Sequence, residues 1–431
     1  MDGTFDTYGR RVVDAELDEL LPHLPAIALD GPRGVGKTST ALRRAGTVYR
    51  LDVEEERLLL AADPGRLDSA APPVVIDEWQ RLPEVWDRVR RSVDAHRGGG
   101  RFLLTGSAAP VEAPVHSGAG RIVSLRMRPL ALAERGVGPA AVSLRQLLAG
   151  TRPVIDGDTD VDLPRYVDEI LASGLPGLRT LPPRARRAAL GGYLDAVVQQ
   201  DVPEQGLLVR RPETLRAWLT AYGAATATIT SYSHILEAAT PGLADKPARS
   251  TVTQYRDVLT QLWLLDPVPG WLPSGTALGR LANAPKHHLA DPALAAHLLG
   301  ATEASLLDRG SAPGDVAGVA RDQPLLGALF ESLVALSVRV YAQAAEARVG
   351  HLRTRNGDHE IDVIVEGPDR RVVAFEVKLA RTVGDADVKH LRWLAERLGD
   401  GLADAVIVTT GSHAYRRPDG IAVVPAALLG P

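Results

Sequence analysis

Short apolar runs and helical stretches alternate along the first third of the chain. AIALD (26–30) ends at a glycine-rich turn, and TVYRLD (47–52) reads as a second strand. PVVID (73–77) and RFLLTG (101–106) are compact, apolar and turn-bounded, which predicts buried strands. Residues 84–95 lie between them and read as helical. Strand–helix alternation predicts a mostly parallel sheet covered on both faces. A Gly/Pro/Asp-rich stretch, GTRPVIDGDTD (150–160), reads as a linker. From about 163 to 300 the pattern is mostly helical, with Pro and Gly as punctuation. A loop-like stretch (308–323) leads into a helix (324–344) and three strands (348–354, 359–366, 371–379). A helix (385–398) and two strands (404–410, 420–424) follow. The chain therefore divides into three expected domains, at 1–150, 160–305 and 320–431.

Composition narrows the class. Of 431 residues, 45% are hydrophobic and 24% charged, which is globular. The formal net charge of −4 supplies no global basic field for nucleic acid or a membrane surface. Cysteine is absent, which excludes disulfides and thiol nucleophiles. Apolar runs fall short of the ~18 residues that span a bilayer, and the acidic N-terminal stretch does not suit a secretory signal. A cytoplasmic protein with no membrane partner is expected. Lys+Arg is 49, yet only five are lysines: Lys37, Lys246, Lys286, Lys378 and Lys389. Each lysine that persists among so many arginines invites the question of what a compact ammonium does that a planar guanidinium cannot.

Lys37 has a ready answer. Residues Gly31, Pro32, Arg33, Gly34, Val35, Gly36, Lys37 and Thr38 fit G-x-x-x-x-G-K-[ST], after a strand and before a helix that continues through Ser39. At this composition a chain of this length expects roughly 0.004 chance matches to that pattern. Backbone N–H groups of such a loop curl around phosphates, with the helix N-terminus behind them. Lys37 would reach the β- and γ-phosphates, and Thr38 would give its hydroxyl to Mg²⁺. About 40 residues on, the strand PVVID delivers Asp77 and Glu78. Asp77 would hold the metal, and Glu78 would orient the attacking water. The next strand ends in Thr105 and Ser107, either of which could sense the γ-phosphate. Arg121 is a candidate for stabilising transition-state charge, including in a neighbouring copy of the chain, which makes a homo-oligomer a candidate assembly.

At this point the sequence resembles a family of bacterial and archaeal AAA-type ATPases that carry a C-terminal domain of unknown function, number 4143. ALDGPRGVGKTSTA, VVIDEWQRLPEVWDRVR, RFLLTGSA and AGRIVSLRMRPLALAE carry the likeness. So do ASGLPGLR (172–179), YLDAVVQQDV (193–202), STVTQYRDVLTQLWLLDPVPGW (250–271), PKHHLADPAL (285–294), LGALFESLV (326–334) and the EIDVIVE…VVAFEVKLA stretch. The resemblance implies an AAA-like P-loop NTPase core using ATP and Mg²⁺, a winged-helix-like helical middle and a restriction-endonuclease-like α/β end. Lys286 lies in one of these stretches with no role derivable from sequence.

The C-terminal residues carry a second signal of their own. Glu360 and Asp362 are two apart on a strand and share a face, with Ile361, Val363 and Val365 on the other. Glu376 and Lys378 follow on the next strand, and a hairpin would bring them beside Asp362. This is the D…(D/E)-x-K pattern of Mg²⁺-dependent nucleases, where two carboxylates hold a metal and the lysine positions water. Glu331, on the preceding helix, matches the place of a further acid. The alternative is a solvent-facing sheet surface with an ordinary Glu–Lys pair. In the middle segment, two helical stretches (Ser231–Ala239 and Ser250–Leu262) are followed by LWLLDPVPGW as a candidate wing. Arg249, Gln254 and Arg256 could then face DNA, which is a candidate partner. His287 and His288 lack a second pair at metal spacing and read as surface or core histidines.

Overall fold

The structure, a computed structural model, describes residues 8–95, 98–107, 120–209, 211–240, 248–271, 284–307, 324–354 and 357–431, without the side chain of Arg249. The loop-like stretch at 308–323 and Lys246 lie outside the described residues.

Five strands form the first sheet: β1 (Ala26–Asp30), β2 (Thr47–Arg50), β3 (Val74–Asp77), β4 (Phe102–Gly106) and β5 (Val123–Arg126). All neighbours are parallel, in the order β2-β3-β4-β1-β5. The central runs are apolar because both faces are covered. Ile27, Leu29, Val75 and Leu103 pack with Leu17 on one face; Ala28, Ile76, Phe102 and Leu104 pack with Val89 on the other. Since the strands run the same way, Asp30, Asp77, Gly106 and Arg126 all emerge at one edge. Four of these strands coincide with the apolar runs of the sequence. The fifth, β5, does not: it is an edge strand whose residues alternate Val-Ser-Leu-Arg, and only Leu125 is buried.

The second sheet is built from far-apart segments. Its strands are β7 (Gly157–Asp158), β8 (Arg348–Arg353), β9 (Glu360–Glu366), β10 (Val372–Val377), β11 (Leu402–Thr409), β12 (His413–Arg416) and β13 (Ala422–Pro425). They run in the order β7-β12-β13-β11-β10-β9-β8. A separate two-stranded pair joins β6 (Val142–Ser143) to β14 (Leu429–Gly430). Residues 142–158, read as the end of one domain and a linker, therefore supply strands to the C-terminal unit. Gly157 and Asp158 pair with Ala414 and His413.

The helix Leu325–Ala344 covers one face of this sheet, with Leu329 and Leu333 against Val363, Val373 and Phe375. The helix Lys389–Leu398 covers the other, with Leu391 and Leu394 against Ile364, Ala374 and Ile407. Among the described residues, Leu325–Ala344 alone is long and apolar enough to cross a membrane, with a mean hydropathy of 1.6 over its best window. Its buried residues include Glu331, Ser332 and Ser337 as well as the apolar ones, which fits a core helix packed on all sides.

Between the sheets lie the helices Leu163–Ala172, Pro183–Ala196, Pro212–Ala224, Tyr232–Ala239, Arg249–Gln261 and Pro292–Leu298. Residues 265–270 and 286–289 approach as an antiparallel ribbon, Leu265 opposite Leu289 and Val268 opposite Lys286, where the sequence suggested a wing. Gly270 carries the ribbon to His351 at the edge of the second sheet. Gln254 is exposed, and Arg256 is bound to Asp257 and stacked over Tyr232.

Asp266, at the root of this ribbon, ties the units together. It lies 3.0 Å from Arg126, 2.9 Å from Arg128 and 2.5 Å from Arg339. Burial by itself would raise the Asp266 carboxyl, but the three guanidiniums outweigh it and hold the group well below the usual carboxylate range.

Candidate functional site

The loop between β1 and the helix Lys37–Leu42 is shaped by glycine. Gly31 passes so close to β5 that a Cβ there would sit 2.1 Å from the Met127 carbonyl oxygen. Gly36 caps the helix at φ 103°, a left-handed conformation that side chains disfavour. Inside the loop the Lys37 ammonium is buried and donates to the carbonyls of Gly31 (2.7 Å) and Pro32 (2.9 Å). Burial pushes it down to about 8, against the opposing pull of Glu78, Asp30 and Asp77. A buried cation satisfied by two of its own loop's carbonyls is poised to take a better anionic partner.

Strands β3 and β4 supply the rest. The Thr38 hydroxyl donates to Asp77 Oδ1 at 2.7 Å, and the Thr105 hydroxyl donates to the same oxygen. Glu78 adopts a left-handed backbone (φ 56°), rare for a non-glycine residue and typical of functional sites. Its carboxylate accepts from the Gln80 amide. Glu78, Gln80, Arg33 and Ser107 line an open cleft of about 150 Å³, closed on the other side by Asp201 and Glu204 of the helical unit. Arg33 reaches Asp201 at 3.1 Å and Arg81 reaches Glu204 at 3.8 Å. The donor set fits a nucleotide polyphosphate with Mg²⁺: a glycine-walled loop, a buried ammonium, and a hydroxyl–carboxylate pair at hard-cation spacing.

The expected loop, Asp77, Glu78, Thr105 and Ser107 thus converge at one sheet edge. Arg121 does not join them. It precedes β5 at the opposite edge and pairs with Asp94 at 2.6 Å. Sequence reasoning missed Arg11, which is buried and threads three elements. It donates to Val35 O (2.9 Å) in the loop and to Arg128 O (2.8 Å), and pairs with Glu134 at 3.0 Å. Nothing local in...YGRRVV... signals this role, since all three partners are distant in sequence.

The second cluster also assembles, with an unforeseen member. Asp362 Oδ2 accepts the Val377 N–H at 2.9 Å, so the hairpin does place Asp362 beside Glu376, which pairs with Lys378 at 3.0 Å. The strand alternation differs from the reading. Ile361 and Ile364 pack into one core and Val363 and Val365 into the other. The pairing slips there: Leu352 faces Ile361 while Gly350 faces Ile364, a bulge on β9. Lys286 then enters from the ribbon, almost fully buried. Its ammonium lies 2.9 Å from Glu331, 3.0 Å from Asp362 and 3.1 Å from Glu360.

These residues do not fit a divalent metal as they stand. Oxygens of Glu331, Asp362 and Glu360 are spent on an ammonium at hydrogen-bond distances, where metal ligands sit at ~2.0–2.6 Å. Burial pushes Glu331 and Glu376 each up to about 8, with Asp362 adding to both shifts. Burial would lower the Lys286 ammonium, but its three carboxylates hold it well above its ordinary value. His287 and His288 are buried in the core. His287 bonds Thr230 O at 2.7 Å and His288 faces Ser332 at 3.2 Å, and burial drives both down, His287 to about 4.

Residues 23–135 match an AAA domain family, residues 163–305 a domain of unknown function (DUF8612) and residues 326–429 another (DUF4143). Two relatives are the uncharacterized proteins Mb2031c of Mycobacterium bovis and Rv2008c of Mycobacterium tuberculosis. Each is 26% identical over 426 residues, covering 97% of this chain and 83% of its own length. Among solved structures, the Thermotoga maritima RuvB Holliday junction branch migration motor overlaps at a TM-score of 0.27 and 19% identity, over 60% of this chain and 89% of its own. A single-residue variant of that RuvB gives 0.26 and 18%, over the same shares. The AAA match and the phosphate-loop geometry mark the first unit as an AAA-type P-loop nucleotide-binding domain.

Proposed function

We propose that the protein is a Mg²⁺-dependent ATPase whose nucleotide state repositions the helical and C-terminal units. The observation that carries this is the convergence of Lys37, Thr38, Asp77 and Thr105 at the edge where β1, β3 and β4 end. Lys37 exchanges its two carbonyl partners for phosphate oxygens. Thr38 and Asp77, already 2.7 Å apart, hold the metal side of the site. Thr38 and Asp77 would hold Mg²⁺, which would supply positive charge to offset the charge that develops on the phosphoryl group. Glu78 faces the cleft and orients water for attack, once freed from Gln80. The cleft lies between the ATPase and helical units, so closure on nucleotide acts on the Arg33–Asp201 and Arg81–Glu204 contacts. From there the Asp266 junction leads to the C-terminal helix.

For the C-terminal unit, the placement of Lys286 favours a nuclease-like layout that binds DNA or a protein without cleaving it, over an ATP-gated nuclease. The test is ATP turnover by purified protein with Mg²⁺. Lys37→Ala should lose ATP binding, and Glu78→Gln should bind ATP yet hydrolyse it about 10²-fold more slowly. Full turnover in both variants would refute the assignment.

A further inference from the structure

Lys286 is the buried residue for which the ATPase reading has no use. Its setting is specific. The three carboxylates come from two elements, Glu331 from the helix Leu325–Ala344 and Glu360 and Asp362 from β9, while Lys286 comes from the ribbon. The ammonium donates to Glu331 at 2.9 Å and to Asp362 at 3.0 Å, and Glu360 completes the shell as an ion pair at 3.1 Å. Asp362 is fixed further by the Val377 N–H on its other oxygen. Beyond this shell, Glu376 Oε1 is buried without a hydrogen-bond partner, so the acid cluster continues past the lysine's reach.

The choice of residue is informative. This chain uses arginine for 44 of its 49 basic residues. A guanidinium spreads its donors over a plane and suits bidentate pairing with one carboxylate. Gathering three separate carboxylates around a single atom needs a compact cation. A hard metal ion held by oxygen ligands gathers carboxylates in the same way, at the shorter distances of ~2.0–2.6 Å.

We propose that Lys286 is the resident cation of this cluster. Its ammonium holds the position that a divalent metal takes in carboxylate-built phosphodiester-cleaving sites. The wild-type cluster accordingly binds neither Mg²⁺ nor Mn²⁺, and the ribbon carrying Lys286 is locked onto the second sheet. Substituting Lys286 uncovers a latent metal site made of Glu331, Glu360 and Asp362.

The test uses the full chain without nucleotide and follows Mn²⁺ by the loss of its free electron-paramagnetic-resonance signal. Wild type and Asp362→Asn should retain Mn²⁺ equally weakly. Lys286→Ala should gain one site, with affinity improved by at least about tenfold. Its melting temperature should fall without metal and recover with Mn²⁺, and adding Asp362→Asn should remove both effects. Lys286→Met, which keeps the apolar stem, guards against loss of folding. Mn²⁺ retention by wild type that Asp362→Asn abolishes would overturn the proposal, whatever the variants do. So would folded Lys286→Ala or Lys286→Met protein that gains no site.

Discussion

Replacing Asp266 with Asn keeps the side chain's shape and removes its charge. Three guanidiniums, from Arg126, Arg128 and Arg339, then face one another around a neutral amide. Burial already pulls Arg126 down to about 10 and Arg339 to about 9 with the aspartate in place as counter-charge. Removing one partner of a buried ion pair costs about 3–5 kcal/mol, because the other charge is left uncompensated. One substitution here strands three cations, so the upper half of that range is expected. At roughly 2 °C per kcal/mol for a large domain, the melting temperature should drop by about 8–10 °C. The sign with pH is fixed by the direction of the shift. Asp266 is depressed in the folded state, so its stabilisation is complete above the unfolded value near 4 and is lost as pH falls below it. Scanning calorimetry of both proteins should therefore show a wide gap at pH 7 that narrows towards pH 3. Equal melting temperatures at pH 7, or a gap undiminished at pH 3, would refute the hub as drawn.

Three further outcomes are expected. Arg11→Ala should cost about 3–5 kcal/mol in urea unfolding, since it strands buried Glu134, and Arg11→Lys should recover little because a point charge cannot reach Val35 O, Arg128 O and Glu134 together. Thr105→Val should leave ATP binding near wild type while slowing turnover by about tenfold, the effect of one charge-assisted hydrogen bond lost from Asp77, read in a steady-state phosphate-release assay. Asp201→Asn should tighten ATP binding by less than about fivefold, because its Arg33 partner is more than half exposed and such pairs contribute at most about 1 kcal/mol; a titration with a fluorescent ATP analogue reads it.

The parts of this molecule legible in sequence are those set by local rules. β1, β3 and β4 announce themselves as apolar runs. The phosphate loop does so because backbone curvature demands glycine at fixed intervals. Asp362, Glu376 and Lys378 meet as their spacing predicts because a hairpin is a local structure. What stays hidden depends on distant partners. Lys286 comes to Glu331 and Asp362 from 45 and 76 residues away, and no periodicity encodes that meeting. Only the scarcity of lysine hints at it. The bulge that splits Ile361 from Val363 is equally invisible, since an extra residue in one strand shows only against its neighbour. β5, at the edge of the first sheet, and β12, between β7 and β13 in the second, are short, half-polar strands recognisable only by what they pair with.

The pairing of β7 with β12 sets a timetable for synthesis. Asp158 leaves the ribosome long before His413, 255 residues later, so the edge of the second sheet cannot close as its first strand emerges. The ATPase sheet, whose strands all fall within residues 26–126, can be complete by then. At ~5–20 residues per second, β7 waits on the order of ten seconds or more with its pairing groups open. Gly157–Asp158 is two residues long and polar, a poor template for wrong partners during that wait. A fragment beginning near residue 320 would never receive this strand, and would expose β12 along the edge that β7 protects in the full chain.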